Sequence, residues 1–131
     1  MKTPADSSPG KVCLLDDDAS VLRSMQYLLA SDGIPVRAFN KPEEFLEYAA
    51  TNRVPVVVTD IWMPGITGLE ILARTCAITP RPRVIVITAR DDLAARATAM
   101  AVGPVAFFIK PFNDEQFLAA VHDALAQATN S

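Results

Sequence analysis

The sequence predicts an open, doubly wound α/β fold: a three-layer sandwich in which a five-stranded parallel sheet carries helices on both faces, a (βα)5 arrangement. Two patterns carry that prediction. Five short, largely apolar runs alternate with five segments whose apolar residues recur at helical spacing, and continuous apolar runs such as Val12–Leu15 mark strands covered on both sides. Strands alternating with helices fold through right-handed βαβ crossovers, which makes the sheet parallel. Length supplies the third observation. The chain has 131 residues, roughly half of what a closed eight-stranded α/β barrel requires, so the sheet stays open and its site is expected outside the carboxyl ends of the strands.

Each element has a local reason. Val12-Cys13-Leu14-Leu15 is an apolar run ending in charge, the first strand. Val21, Leu22, Met25, Leu28 and Leu29 then fall on one helical face, and Asp32-Gly33 stops that helix. Ile34–Phe39 is the second strand; Asn40 with Glu43 reads as a capping box for a helix carrying Phe45, Leu46 and Tyr48 and ending near Asn52. Val54–Thr59 is the third strand, and a loop with one proline and two glycines, Asp60 to Gly68, leads to a helix around Leu69–Ala77. After Arg81-Pro82 comes the fourth strand, Val84–Thr88. Asp91-Asp92 open an alanine-rich fourth helix through Val102, with Gly103-Pro104 as its stop. Val105–Ile109 is the fifth strand, and Asn113 with Gln116 caps a last helix carrying Phe117, Leu118, Val121, Ala124 and Leu125 and ending near Ala126.

Composition removes several classes of function. Half of the residues are apolar and 21% are charged, enough to build one core and too apolar for a disordered body. Residues 1–10 read as a disordered tail, residues 11–127 as one domain, and no room is left for an output domain. Twelve basic against fifteen acidic residues give a net charge of −3, which offers no basic field for nucleic acid. No apolar stretch reaches the ~20 residues of a membrane span, and the amino terminus lacks the apolar core of a secretory signal. Cys13 and Cys76 have no Cys or His at ligand spacing, which argues against a zinc site or a disulfide framework and fits a reducing cytoplasm.

The polar residues that end the apolar runs are Asp16-Asp17-Asp18, Asp60, Thr88 and Lys110, and all face one edge of a parallel sheet. A single aspartate closing a strand is ordinarily a turn or a helix cap. Four strand ends delivering carboxylates, a hydroxyl and an ammonium to one crevice are a different matter. Carboxylates that close together repel unless a cation intervenes, and an open set of carboxylate and carbonyl oxygens suits Mg²⁺. Asp60 is then placed as a nucleophile toward phosphorus, with Lys110 and Thr88 supplying charge and a donor to the transferred group.

The segments LLDDDAS, VVVTDIWMPGITGLE, VIVITA and FFIKPF, in that order, resemble the receiver domain of two-component response regulators over Lys11–Ala126. The resemblance implies a flavodoxin-like, CheY-like fold with strand order 2-1-3-4-5, and a signalling phosphoacceptor rather than a turnover enzyme. It implies that Asp16 and Asp17 form the acidic pair that, with Asp60 and the main-chain carbonyl of Trp62, holds Mg²⁺. Asp60 is the expected phosphoacceptor, Thr88 the switch hydroxyl beside small Ala89, Lys110 the phosphate-pairing lysine on a cis Lys110-Pro111 bond, and Phe107 the switch aromatic, lacking the more usual hydroxyl. Trp62 and Arg90 fall at the two variable positions flanking the site and are expected to shield the acyl phosphate from water. The implied partners are a sensor histidine kinase or phosphotransfer protein upstream and, downstream, a protein or output domain reading the surface of the fourth helix, fifth strand and fifth helix, with a homodimer formed on phosphorylation.

Two other readings use the same residues. Asp16-Asp17-Asp18-Ala19-Ser20 resembles the start of haloacid-dehalogenase phosphatases, with Asp16 as nucleophile, but that reading leaves the Asp60 loop unexplained, and the acidic pair after Lys110, Asp114-Glu115, opens a helix by capping instead of serving a metal. A receiver-shaped module without phosphorylation ordinarily lacks the acceptor, an acidic residue or the lysine, and all are present here. His122 is expected on the solvated face of the last helix; Cys13, Cys76, Met25 and Met100 are expected as packing residues.

Overall fold

The computed structural model describes residues 12–61, 68–78, 80–89 and 92–129. Along the chain run β1 (Val12–Leu15), α1 (Ala19–Ser31), β2 (Val36–Phe39), α2 (Pro42–Thr51), β3 (Val56–Asp60), α3 (Gly68–Cys76), β4 (Arg83–Thr88), α4 (Leu93–Val102), β5 (Ala106–Ile109) and α5 (Asp114–Thr129). The strands form one sheet in the order β2-β1-β3-β4-β5, and every pairing is parallel. The expected fold and strand order are therefore observed. The expected tail, residues 1–10, lies outside the described residues.

Alternation along the central strands divides the core between the two faces. Val12, Leu14, Val56, Val58, Ile85 and Ile87 pack against Leu22, Met25 and Leu29 of α1 and Phe117, Val121 and Ala124 of α5. On the other face, Cys13, Leu15 and Val57 meet Phe45 and Ala49 of α2 and Ile71 of α3, while Val84 and Val86 meet Leu72 of α3 and Ala99 of α4. β1, β3 and nearly all of β4 are fully buried, which is why these strands read as unbroken apolar runs.

The helix ends show which local signals won. The Asp18 carboxylate accepts from the Ser20 and Val21 amides at 2.9 and 3.3 Å, so α1 begins at Ala19, two residues before Val21, where its apolar face starts. The Asn40–Glu43 capping box does not form. Lys41 is the N-cap, with an extended backbone and no side-chain cap bond, because Pro42 takes the first helical position and holds its predecessor out of the helical region. At α4 the expected pieces are in place: Asp92 accepts from the Ala95 amide at 3.0 Å, and Gly103 ends the helix at φ 106°, a left-handed conformation that glycine adopts without strain. Asn113 accepts from the Gln116 amide at 2.9 Å, and α5 continues to Thr129, three residues beyond the expected end. There the Arg53 guanidinium donates to the Ala128 carbonyl at 3.3 Å. Pro35 has no N–H to give the ladder, and β2 starts at Val36 rather than Ile34.

Of the two methionines expected in the core, Met25 is buried but Met100 is 49% exposed, on the outer side of α4. The cysteines also differ. Cys13 is wholly buried in β1, and burial, only partly opposed by the charge of Arg37, pushes its thiol from 9.0 up to about 12; Cys76 is half-buried. A thiolate is the reactive form, so an aromatic disulfide reagent at pH 8 will titrate Cys76 in the native protein and Cys13 only after denaturant is added. Two fast equivalents without denaturant would contradict this placement.

Candidate functional site

The sheet register sets out the site. Leu15 pairs with Thr59, Asp60 with Ile87 and Thr88 with Ile109, so the residues at or just beyond these strand ends share the carboxyl edge of the sheet. Asp16, immediately after β1, is 1% exposed, Asp60 is 6% exposed, and Thr88 is fully buried. Lys110 follows β5, and its amide donates to the Thr88 carbonyl at 2.7 Å, carrying the β4–β5 pairing into the crevice.

From there the Lys110 ammonium donates to both buried carboxylates, 3.0 Å to Asp16 Oδ2 and 3.3 Å to Asp60 Oδ2. Buried carboxylates are tolerated when paired and hydrogen-bonded, and one ammonium serves two of them here. The other Asp16 oxygen, Oδ1, accepts from the Asp18 amide at 2.9 Å. Burial alone would lower the Lys110 pKa, but the hydrogen bond and charge of Asp16 and the charge of Asp60 outweigh it, and the net shift is upward. Lys110 is thus held as a cation. The Lys110-Pro111 bond is cis, as the resemblance implies.

Of the residues singled out in the sequence, Asp16, Asp60, Thr88 and Lys110 come together. Asp17 stays exposed beside Asp16, and the third carboxylate of the run, Asp18, is spent on the α1 cap rather than on the crevice. Ala89 is exposed next to Thr88. Trp62 and Arg90, with the expected carbonyl ligand and the expected shield, lie outside the described residues. Phe107 pairs with Val86 in the register and packs with Val84, Val86 and Leu72 on the face covered by α3 and α4. Phe108 turns to the opposite face and stacks with Phe112 and Phe117, so strand alternation alone separates the two aromatics. One contact had no signal in the sequence: the Arg96 guanidinium of α4 lies over the Phe107 ring, 5.2 Å from its centroid. His122 is exposed as expected, and its Nε2 meets the Asp32 carboxylate at the end of α1.

Among the described residues this edge holds three carboxylates, Asp16, Asp17 and Asp60, and one ammonium, Lys110, which contacts the first and the last of them. Among the described residues no group of three acidic, histidine or cysteine side chains stands at metal-ligating separation; Lys110 draws Asp16 and Asp60 to itself while Asp17 remains outside. The chemistry of the donor set still fits a hard divalent cation, because the carboxylates described at this edge offer oxygen donors and Asp17 is open to water.

Comparison with known proteins agrees with the fold. Residues 12–122 match the family model described as the response regulator receiver domain. The transcriptional regulatory protein FixJ of Bradyrhizobium diazoefficiens is 33% identical over 122 residues, covering 93% of this chain and 60% of FixJ. FixJ of Azorhizobium caulinodans is 36% identical over 117 residues, covering 89% and 56%. The chain thus spans somewhat over half the length of these relatives. Among solved structures, a response regulator receiver protein from Burkholderia phymatum superposes with a TM-score of 0.77 at 39% identity, covering 88% of this chain and 94% of that one. The amino-terminal part of FixJ gives a TM-score of 0.81 at 32% identity, covering 91% and 95%. With the fold, the order of the strand-end residues and the family match in agreement, the chain belongs to the receiver domains of two-component response regulators.

Proposed function

We propose that this domain accepts a phosphoryl group on Asp60 from the phosphohistidine of a sensor histidine kinase or a phosphotransfer protein in the cytoplasm. The observation that carries the reading is the Lys110 ammonium shared between Asp16 and Asp60 at the carboxyl edge of the sheet. An Asp60 carboxylate oxygen attacks phosphorus, the P–N bond of the phosphohistidine breaks, and an acyl phosphate forms as the imidazole leaves. Charge moves onto the phosphoryl oxygens, and Lys110, already adjacent to Asp60 and held as a cation, follows it. Asp16 keeps Lys110 oriented through the second arm of the bridge. Asp16, Asp17 and Asp60 would hold Mg²⁺, together with the main-chain carbonyl of Trp62. Bound there, the ion supplies the positive charge that two like-charged reactants otherwise lack at close approach.

The acyl phosphate biases a two-state element. Thr88 is drawn toward the phosphoryl group, Phe107 packs inward, and the α4-β5-α5 surface changes for a downstream protein, an output domain or a second copy of the domain. FixJ, named as a transcriptional regulator, is one relative whose remaining length such a surface would address.

The test is to locate the phosphate. Incubation with Mg²⁺ and a small phosphodonor, followed by borohydride trapping and peptide mapping, should place the label on Asp60, and Asp60→Asn should reduce it to background while leaving the fold intact. Label on Asp16 would favour the phosphatase chemistry, and no label on a folded, Mg²⁺-saturated protein would leave a phosphorylation-independent interaction module.

A further inference from the structure

α4 is held unevenly. Its single fully buried side chain is small, Ala99, with Ala95 and Val102 partly buried beside it, and Leu93 in its first turn is 78% exposed. Its far end is tied down by Arg81, whose Nη2 donates to the carbonyls of Val102 and Gly103 at 3.1 and 3.0 Å and to Cys76 Sγ at 3.4 Å. That guanidinium joins the end of α4 to the end of α3. Toward the catalytic edge the anchor is different: Arg96, in the second turn, lies over Phe107. Phe107 has no hydroxyl through which a hydrogen bond could fix the ring, so its position is set by packing and by what lies on its face.

We propose that Arg96 is a positioning residue for the switch: its guanidinium stacks on Phe107 and couples the tilt of α4 about the Arg81 anchor to the orientation of the ring. This rests on the phosphoacceptor reading above and deepens it, because the stack then sets how readily Asp60 is phosphorylated. In the present arrangement the stack stabilises the half-buried ring. Removing it lowers the cost of reaching the switched state, and any ligand that favours that state gains by the same factor.

The experiment compares Arg96→Gln, which keeps length and loses charge, with Arg96→Lys, which keeps a cation, each alone and with Phe107→Leu, which keeps an apolar side chain and loses the π-face. Arg96→Gln should raise the rate of Asp60 labelling by a small phosphodonor about two- to fivefold, the range expected of an exposed cation–π contact, and speed amide exchange at residues 95–98. Arg96→Lys should restore most of the wild-type rate. In the Phe107→Leu background Arg96→Gln should have no further effect. An unchanged rate, or an equal effect in that background, overturns the proposal. Amide exchange requires no phosphodonor and separates the two readings. Faster exchange in Arg96→Gln without any labelling of the wild type keeps the Arg96–Phe107 coupling and overturns the phosphoacceptor; unchanged exchange with normal labelling overturns Arg96 alone.

Discussion

Lys110→Met will lower the stability of the domain by about 3 kcal/mol in metal-free buffer near pH 7, the lower end of what removing one partner of a buried ion pair costs. The reason is the number of charges left behind. Asp16 and Asp60 are 1% and 6% exposed, both touch the same ammonium, and methionine fills its volume while leaving two carboxylates facing each other. The same geometry predicts how the deficit is relieved. Mg²⁺ should shrink it, because a cation that binds the folded state alone stabilises by mass action. In the wild type the raised Lys110 pKa means that its contribution is complete below the ordinary lysine value of about 10.4 and is lost as pH rises through the higher folded value. That alkaline loss should be absent in the variant. Urea melts with equal slopes and a shifted midpoint would report the effect; coincident midpoints without metal would show that Lys110 does not neutralise the crevice.

Phe117→Ala should cost more, about 3–5 kcal/mol. Phe117 is wholly buried between α5 and the sheet, and its ring lies 4.8 Å from that of Phe112 and 6.0 Å from that of Phe108, the latter edge-on at 75°. Truncation removes both aromatic contacts and leaves a cavity lined by strands that have no room to collapse, since β1, β3 and β4 are fixed from both faces. Phe117→Leu should cost under about 1.5 kcal/mol, because the volume is largely kept. Neither change touches Asp60, Thr88 or Lys110, so whatever fraction remains folded should accept phosphate normally. A Phe117→Ala variant as stable as the wild type would mean that the helix is free to repack.

Element type was legible wherever burial was two-sided. The strands at the centre of the sheet are continuously apolar through their middle positions, and a run such as VVV admits no competing period. Boundaries were less legible where two local signals compete. Asn40 and Glu43 have the spacing of a capping box, yet Pro42 between them dictates the backbone of Lys41 and moves the cap by one residue. Met100 fits the helical spacing of a core residue, but an alanine-rich helix packs through its small face and turns the methionine outward. Asp16, Asp17 and Asp18 are indistinguishable as letters, and the structure gives them three fates: a buried bridge to Lys110, an exposed rim and a helix cap.

By itself the sequence determined the order of strands and helices along the chain and the sheet edge that Asp16, Asp60, Thr88 and Lys110 share, because both follow from periodicity and chain direction and need no knowledge of neighbours distant in the chain. Only the tertiary structure decided that one ammonium bridges two carboxylates 94 and 50 residues away, that Arg81 ties the end of α4 to α3, and that Arg96 covers the Phe107 ring. Those contacts join side chains from elements far apart in sequence, where no local pattern constrains which long polar residue meets which partner, and the folded geometry alone makes the choice.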